Sequence, residues 1–192
     1  MAKTNKTNGH DRRRRRRHLA AAAAQIASHG VDISLTAVAE QAGVGIATLY
    51  RNFPARDDLI RAVLADLEGR MLALVERYRP RIAVDPDGAW QEFGREVAAL
   101  RPGALVAAFA AEFVTGDQLS EPLTQERVHS LAAVQQILED AKQAGLVRAD
   151  LTAVQFQLGI AQITRPLPDV AVPELARHQA WLVDVYLRGL RP

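Results

Sequence analysis

The chain has no cysteine, which rules out a disulfide framework and thiolate chemistry and fits a reducing cytoplasm. Aromatic residues make up only 5% of it, which, with the abundance of Ala and Leu, suits a mostly helical globular protein. Its longest uninterrupted apolar run, Ala104 to Ala111, is eight residues; a membrane span needs ~18 or more. The first residues carry charge without an apolar segment of signal-peptide type, so export is not expected and a cytoplasmic setting is. No alternating apolar–polar stretch is long enough to argue for a sheet. His10, His18, His29, His129 and His178 are scattered, and no HExxH, nucleophile elbow or phosphate-binding glycine loop occurs. Neither an enzyme, a metal site nor a cofactor is expected. Acids such as Asp57, Asp58, Asp85 and Asp87 are better explained by helix N-termini, where the dipole favours negative charge.

What remains is 192 residues, 48% hydrophobic and rich in Ala and Leu, enough to bury a sizeable core in an all-α fold. The net charge of +2 hides an asymmetry. Residues 1–17 hold eight basic side chains, Lys3, Lys6 and Arg12 to Arg17, against one acid, Asp11, and the rest of the chain has 16 basic against 21 acidic. A basic end on an acidic body points to a polyanionic partner for that end, or else to a solvated tail.

Residues 34–59, SLTAVAEQAGVGIATLYRNFPARDDL, decide between these. Ser34 is placed to cap a helix, and Leu35, Val38, Ala39 and Ala42 follow at i, i+3, i+4 and i+7 on one apolar face. Gly43 ends that helix, Val44 is an apolar turn residue, and Ile46 to Phe53 form a second short helix with Leu49 and Phe53 inward. A helix, a glycine turn and a second helix make a helix-turn-helix, in which the second helix enters the major groove of DNA.

Around this segment, residues 1–10 read as a disordered tail. A first helix spans about Asp11 to His29 with Leu19, Ala22, Ala23 and Ile26 inward, and Gly30 closes it. A long helix follows from about Arg56 to Arg79. Breaks at Pro80, Asp85 to Gly88, Pro102-Gly103 and Gly116 to Pro122 leave about two helices between them. Residues 123–144 form another, with Val128, Leu131, Val134, Leu138 and Ala141 on one side, then come about Leu151 to Thr164 and Pro173 to Gly189. The domains are therefore 11–55, a three-helix reading head, and 56–192, a helical bundle for ligand binding and dimerisation, about nine helices in all. The 151–164 helix has two apolar stripes, Val154, Leu158 and Ala161 on one and Phe156, Ile160 and Ile163 on the other. Either it is the centre of a monomeric bundle or one stripe meets a second subunit. The second choice assigns Val154, Leu158, Ala161, Leu182, Val185 and Tyr186 to a dimer interface, and a dimer can present two recognition helices about one DNA turn apart.

AEQAGVGIATLYRNFPARDDL resembles the N-terminal domain of the TetR/AcrR transcriptional regulators over roughly residues 12–70. Order, spacing and residue type agree at Ala39, Ala42, Gly43, Val44, Thr48, Leu49, Tyr50, Phe53 and Leu59. The resemblance implies that Thr36, Ile46, Ala47 and Thr48 face base edges, that Tyr50, Asn52 and Arg56 hold phosphates, and that Arg51 reaches either. Three departures stand out: Gly45 replaces the usual Ser or Thr before the recognition helix, Asn52 stands where His or Tyr is common, and Ile26 takes an aromatic's place. The front of the recognition helix is poor in hydrogen-bond donors, which shifts affinity toward electrostatics. Six successive arginines sweep most of a helical circumference, so an arm placing Arg12, Arg13 and Arg14 in the minor groove is geometrically easier than one continuous helix.

The resemblance further implies a homodimeric repressor of a double-stranded operator, released when a small molecule enters the C-terminal body and tilts the 56–79 helix. Trp90, Phe93, Phe109, Phe113 and Phe156 are the candidate pocket aromatics, each more simply explained as core packing, with Phe109 and Phe113 at i, i+4 on one face the best pair. A protein that coats DNA without sequence preference, through the arginine run, is the competing reading. It predicts equal affinity for every duplex, whereas the regulator predicts a preferred palindrome.

Overall fold

The computed structural model describes residues 15–26, 33–105, 114–115, 118–119, 121–165 and 175–192. The chain divides into two compact units, Met1–Asp66 and Leu67–Pro192. Residues 1–10, Arg12 to Arg14, Gly30, Phe109 and Phe113, all singled out in the sequence, lie outside the described residues.

The first unit contains helical residues 15–26 (α1), Leu35–Ala42 (α2), Ile46–Asn52 (α3) and the opening turns of Arg56–Ile82 (α4). Its core is the apolar stripe of each helix: Leu19, Ala22 and Ile26 of α1, Val38, Ala39 and Ala42 of α2, Leu49 of α3 with Phe53 after it, and Leu59, Ile60 and Val63 of α4. His18 is buried among them, its ring edge-on to Phe53 at 6.3 Å. Gln25 donates to Gln41 at 2.8 Å and ties α1 to α2. Ser34 holds an extended backbone and its hydroxyl accepts from Ala37 N–H at 3.4 Å, the N-cap its sequence position implies. Gly43 has φ 66° and sends its N–H back to Glu40 O at 3.0 Å. That left-handed turn is strained for any residue with a Cβ.

The second unit holds the rest of α4, then Pro86–Ala99 (α5), helical residues 102–105 (α6), Glu121–Gln143 (α7), Ala153–Ile163 (α8) and Leu175–Gly189 (α9). A two-residue antiparallel ladder, Val114–Thr115 (β1) with Gln118–Leu119 (β2), interrupts an otherwise helical fold. Asp85 caps α5 by accepting from Gly88 N–H at 3.1 Å, with Pro86 at the first helical position. Thr152 and Gln155 form a reciprocal capping box at the start of α8. The core runs from Met71, Val75, Tyr78 and Ile82 of α4 through Trp90, Phe93 and Val97 of α5 to Ile137, Leu138, Phe156, Ile160 and Leu187.

Two expectations about this unit need correction. Pro80 does not end α4, which continues to Ile82. A proline inside a helix forfeits one hydrogen bond and crowds the preceding turn, but here contacts on both sides of it hold the last turn. Arg79 pairs with Asp140 of α7 at 2.7 Å, Arg81 with Glu92 of α5 at 2.8 Å, and Ile82 is buried. Tyr78 adds to the clamp: both Arg77 and Arg81 lie over its ring at 4.8 Å, and its hydroxyl donates to Glu96 at 2.8 Å. That hydrogen bond, together with the Arg77–Glu96 pair, holds the Glu96 carboxyl below the usual carboxylate range. The second correction is Val128, which is exposed and not part of the α7 inner stripe.

Gly103 marks the closest backbone approach. Its N–H donates to Thr164 Oγ1 at 2.9 Å, and a Cβ there would overlap the carbonyl oxygen of Ala161 and crowd Arg165 N and Thr164 Oγ1 at 2.8 Å. The obstacle is mostly backbone and cannot rotate away. Gly103→Ala should cost about 1–3 kcal/mol, as overpacking does, and lower the urea midpoint with an unchanged slope. A midpoint equal to that of the parent would show that the α8 end yields freely.

Candidate nucleic-acid interface

Helix α3 is anchored from one side. Leu49 is fully buried and Phe53 nearly so, which fixes the rotation of the helix on the first unit. At 100° per residue, Ala47 and Arg51 lie opposite Leu49 and Phe53, Tyr50 stands at the flank and Ile46 lies nearer the buried side at the start of the helix; all four are exposed. Gly45 is the N-cap residue and offers no side-chain hydrogen bond, so the first N–H groups of α3 are left to other partners.

The remaining predicted contacts are arranged less simply. Thr36 on α2 is exposed, Thr48 is half-buried, Asn52 is exposed and Arg56 is half-buried. Arg51 folds along its own helix, its Nε donating to Ala47 O at 3.2 Å and its Nη2 to Thr48 Oγ1 at 3.3 Å. Asn52 donates to Thr48 O at 2.7 Å. These local bonds pre-order a guanidinium beside a threonine hydroxyl on the exposed face. Both Arg51 and Tyr50 carry hydrogens suited to phosphate oxygens, while Ile46 and Ala47 can offer a base edge only apolar contact, such as with a thymine methyl. Arg15, Arg16 and Arg17 are exposed at the start of α1 on the same unit. Asp58 accepts from Ala55 N–H at 3.1 Å and so caps α4, which accounts for its carboxylate without DNA.

In the second unit, Trp90, Phe93 and Phe156 pack on one another. The ring centroids are 5.8 Å apart for Trp90 and Phe93, 5.5 Å for Trp90 and Phe156, and 5.9 Å for the stacked pair Phe93 and Phe156. Elsewhere on this unit an apolar face is left uncovered. Val154 and Leu158 of α8 are 41% and 47% exposed, and Trp181 and Val185 of α9 are 53% and 39% exposed. Leu182 is half-buried and Ala161 is buried. Tyr186 is half-buried, with its hydroxyl donating to Phe156 O at 3.2 Å, and burial pushes that hydroxyl up to about 12. Trp181 was missed by the sequence reading, although its i, i+4 relation to Val185 on the last helix was the signal that could have found it. Among the described residues no group of His, Asp and Glu could hold a metal ion, and no helix is long and apolar enough to cross a membrane.

Comparison with known proteins gives two family matches. Residues 19–63 match the bacterial regulatory proteins of the tetR family, and residues 85–192 match the C-terminal domain of SbtR-like transcriptional regulators. The chain is similar to a solved TetR transcriptional regulator from Streptomyces coelicolor, with 30% identity over 93% of this chain and 98% of that one and a TM-score of 0.61. A TetR regulatory protein from Mycobacterium vanbaalenii is 26% identical over 97% and 99%, with a TM-score of 0.64. AmtR from Mycobacterium smegmatis shares the fold at 20% identity over 90% and 83%, with a TM-score of 0.58. No curated protein matches the chain at a significant level.

Proposed function

Because the chain belongs to the TetR family of bacterial regulatory proteins, we propose that it is a homodimeric repressor released from a palindromic operator by a small molecule. It is a DNA-binding transcriptional regulator and not an enzyme. The observation that carries the dimer is the uncovered apolar face of Val154, Leu158, Trp181 and Val185. Several large apolar side chains left exposed on two neighbouring helices suggest an interface, and a two-fold axis through it would set such residues near their own copies. A dimer brings two α3 helices to one duplex, and one helix alone reads only a few base pairs.

In this reading Thr36, Ile46, Ala47, Thr48 and Arg51 face base edges, and Tyr50, Asn52 and Arg56 hold phosphates. The small molecule enters the C-terminal unit beside Trp90, Phe93 and Phe156. It acts by binding more tightly to the form of the dimer that does not fit DNA, with a preference of a few kcal/mol sufficient to shift the population. Helix α4 supplies residues to both packing units, which supports it as the element whose tilt differs between the two forms. The setting is the cytoplasm, where the operator is. The mass of the complex with a duplex enriched from a random pool tests the dimer: two chains per duplex is the expected result, and one chain per duplex refutes it.

The six-arginine run favours a second contribution, from charge alone. Replacing Arg12, Arg13 and Arg14 with alanine should weaken binding and flatten its salt dependence by a log–log slope of ~0.9 per lost phosphate contact. A slope equal to that of the parent would remove the arm from the account.

A further inference from the structure

The aromatic cluster of the second unit contains a polar atom that its surroundings do not satisfy. Trp90 is 1% exposed, and its indole Nε1 has no hydrogen-bond partner among the described residues. A buried donor left unpaired costs about 1–3 kcal/mol, and native proteins leave few of them. Other polar side chains of this unit are paired. Thr164 Oγ1 donates to Ile160 O at 2.8 Å, Ser130 Oγ accepts from Gln157 at 3.3 Å, Tyr78 donates to Glu96 and Tyr186 to Phe156 O. A phenylalanine at position 90 would make the same kind of ring contacts with Phe93 and Phe156 without the unpaired N–H. The indole therefore calls for an acceptor that the described protein does not supply.

We propose that Trp90 Nε1 is the anchoring donor for an uncharged ligand that presents a carbonyl-type oxygen on an apolar, ring-sized body. The inference rests on the ligand-released reading above and names the class of molecule it needs. The ligand must accept, because an indole N–H can only donate. It is uncharged because no charged residue of this unit is buried as a whole among the described residues, the one carboxylate oxygen of Glu68 on α4 apart. The nearby charged side chains are committed to one another, Arg77 to Glu96, Arg81 to Glu92 and Arg95 to Asp184. An ion entering would lose its hydration without compensation. The body is apolar because the side chains packed on the Trp90 ring are those of Phe93 and Phe156, at 5.8 and 5.5 Å between ring centroids.

Two pairs of isosteres test this on the full chain. Benzophenone and 1,1-diphenylethene have the same shape, and only the first carries a carbonyl; acetophenone and α-methylstyrene form the smaller pair. The chain has two tryptophans, so Trp181→Phe leaves Trp90 as the single indole N–H in a proton–nitrogen correlation spectrum. A ketone of at least one pair should bind about tenfold more tightly than its alkene partner, the effect of one net hydrogen bond. It should also move the Trp90 indole proton downfield, and the alkene should not. In Trp90→Phe, with Trp181 retained, the preference should vanish. Should that variant fail to fold, the isostere comparison in the Trp181→Phe chain still decides.

Equal binding of ketone and alkene, a ketone that binds without moving the resonance, or binding of none of the four overturns the proposal. So does an indole proton already downfield in the free protein, since a resident water would then be the partner. A ketone that binds as expected but leaves DNA affinity unchanged would keep the Trp90 assignment and refute ligand release instead.

Discussion

If the proposed dimer is held by the exposed apolar side chains of α8 and α9, Leu158→Glu should make it monomeric and weaken its hold on a selected palindromic duplex by about 10²- to 10⁴-fold, the range over which linking two binding modules raises affinity. Leu158 is 47% exposed on the same side of α8 as Val154, and Trp181 and Val185 of α9 are exposed as well. In the single chain the substitution is a surface change, within about 0.5 kcal/mol of neutral. In a two-fold dimer it places two carboxylates in an apolar interface near each other, where desolvation and repulsion both oppose association. Sedimentation velocity reads the loss of the dimer, and fluorescence anisotropy on the duplex reads the loss of affinity. The melting curve of the variant should retain a folded second unit. A Leu158→Glu chain that still dimerises with parental affinity would move the interface to another surface.

Leu49→Ala has the second large effect, and it acts through the fold. The side chain is fully buried in the first unit and fixes the rotation of α3. Removing it should cost about 2–5 kcal/mol. That is a large fraction of what a unit of this size can hold in reserve. DNA binding should be lost on every sequence alike, because no ordered recognition helix is left to present Ile46, Ala47, Tyr50 and Arg51. Limited proteolysis should cut within the first unit, while the second unit remains resistant. Sequence-specific binding that survives at parental strength would show that α3 is held by contacts other than Leu49.

The reading head was legible because its determinants are local. Ser34 caps the helix that follows it within three residues, Gly43 supplies a left-handed turn, and Leu49 and Phe53 bury at a spacing of four. The lack of a side-chain cap at Gly45 also followed from residue type alone. Part of what escaped the sequence depends on partners distant along the chain. Pro80 reads as a helix break, and the helix continues past it through distant partners, Asp140 and Glu92 paired with Arg79 and Arg81, together with the burial of Ile82. Val128 fits the apolar stripe of its helix, yet periodicity cannot say where a covering neighbour stops, and it is exposed. The turn of Arg51 back onto Ala47 and Thr48, and the unpaired N–H of Trp90, are side-chain geometries with no signature in residue order.

The apolar stripes of α8 illustrate both outcomes. Phe156 and Ile160 are fully buried, as a core stripe requires, whereas Val154 and Leu158 are exposed and Ala161 of the same stripe is buried. Periodicity located the stripes but could not say what, if anything, lies over the second.

The central claim is that two copies of α3 read two half-sites on one duplex. Selection of bound duplexes from a random pool, with the purified full chain at physiological salt, tests it most directly. The account predicts an inverted repeat whose half-site centres are about 10 base pairs, one turn of DNA, or a multiple of that apart. Enrichment of a lone half-site, or of no sequence at all, would contradict it.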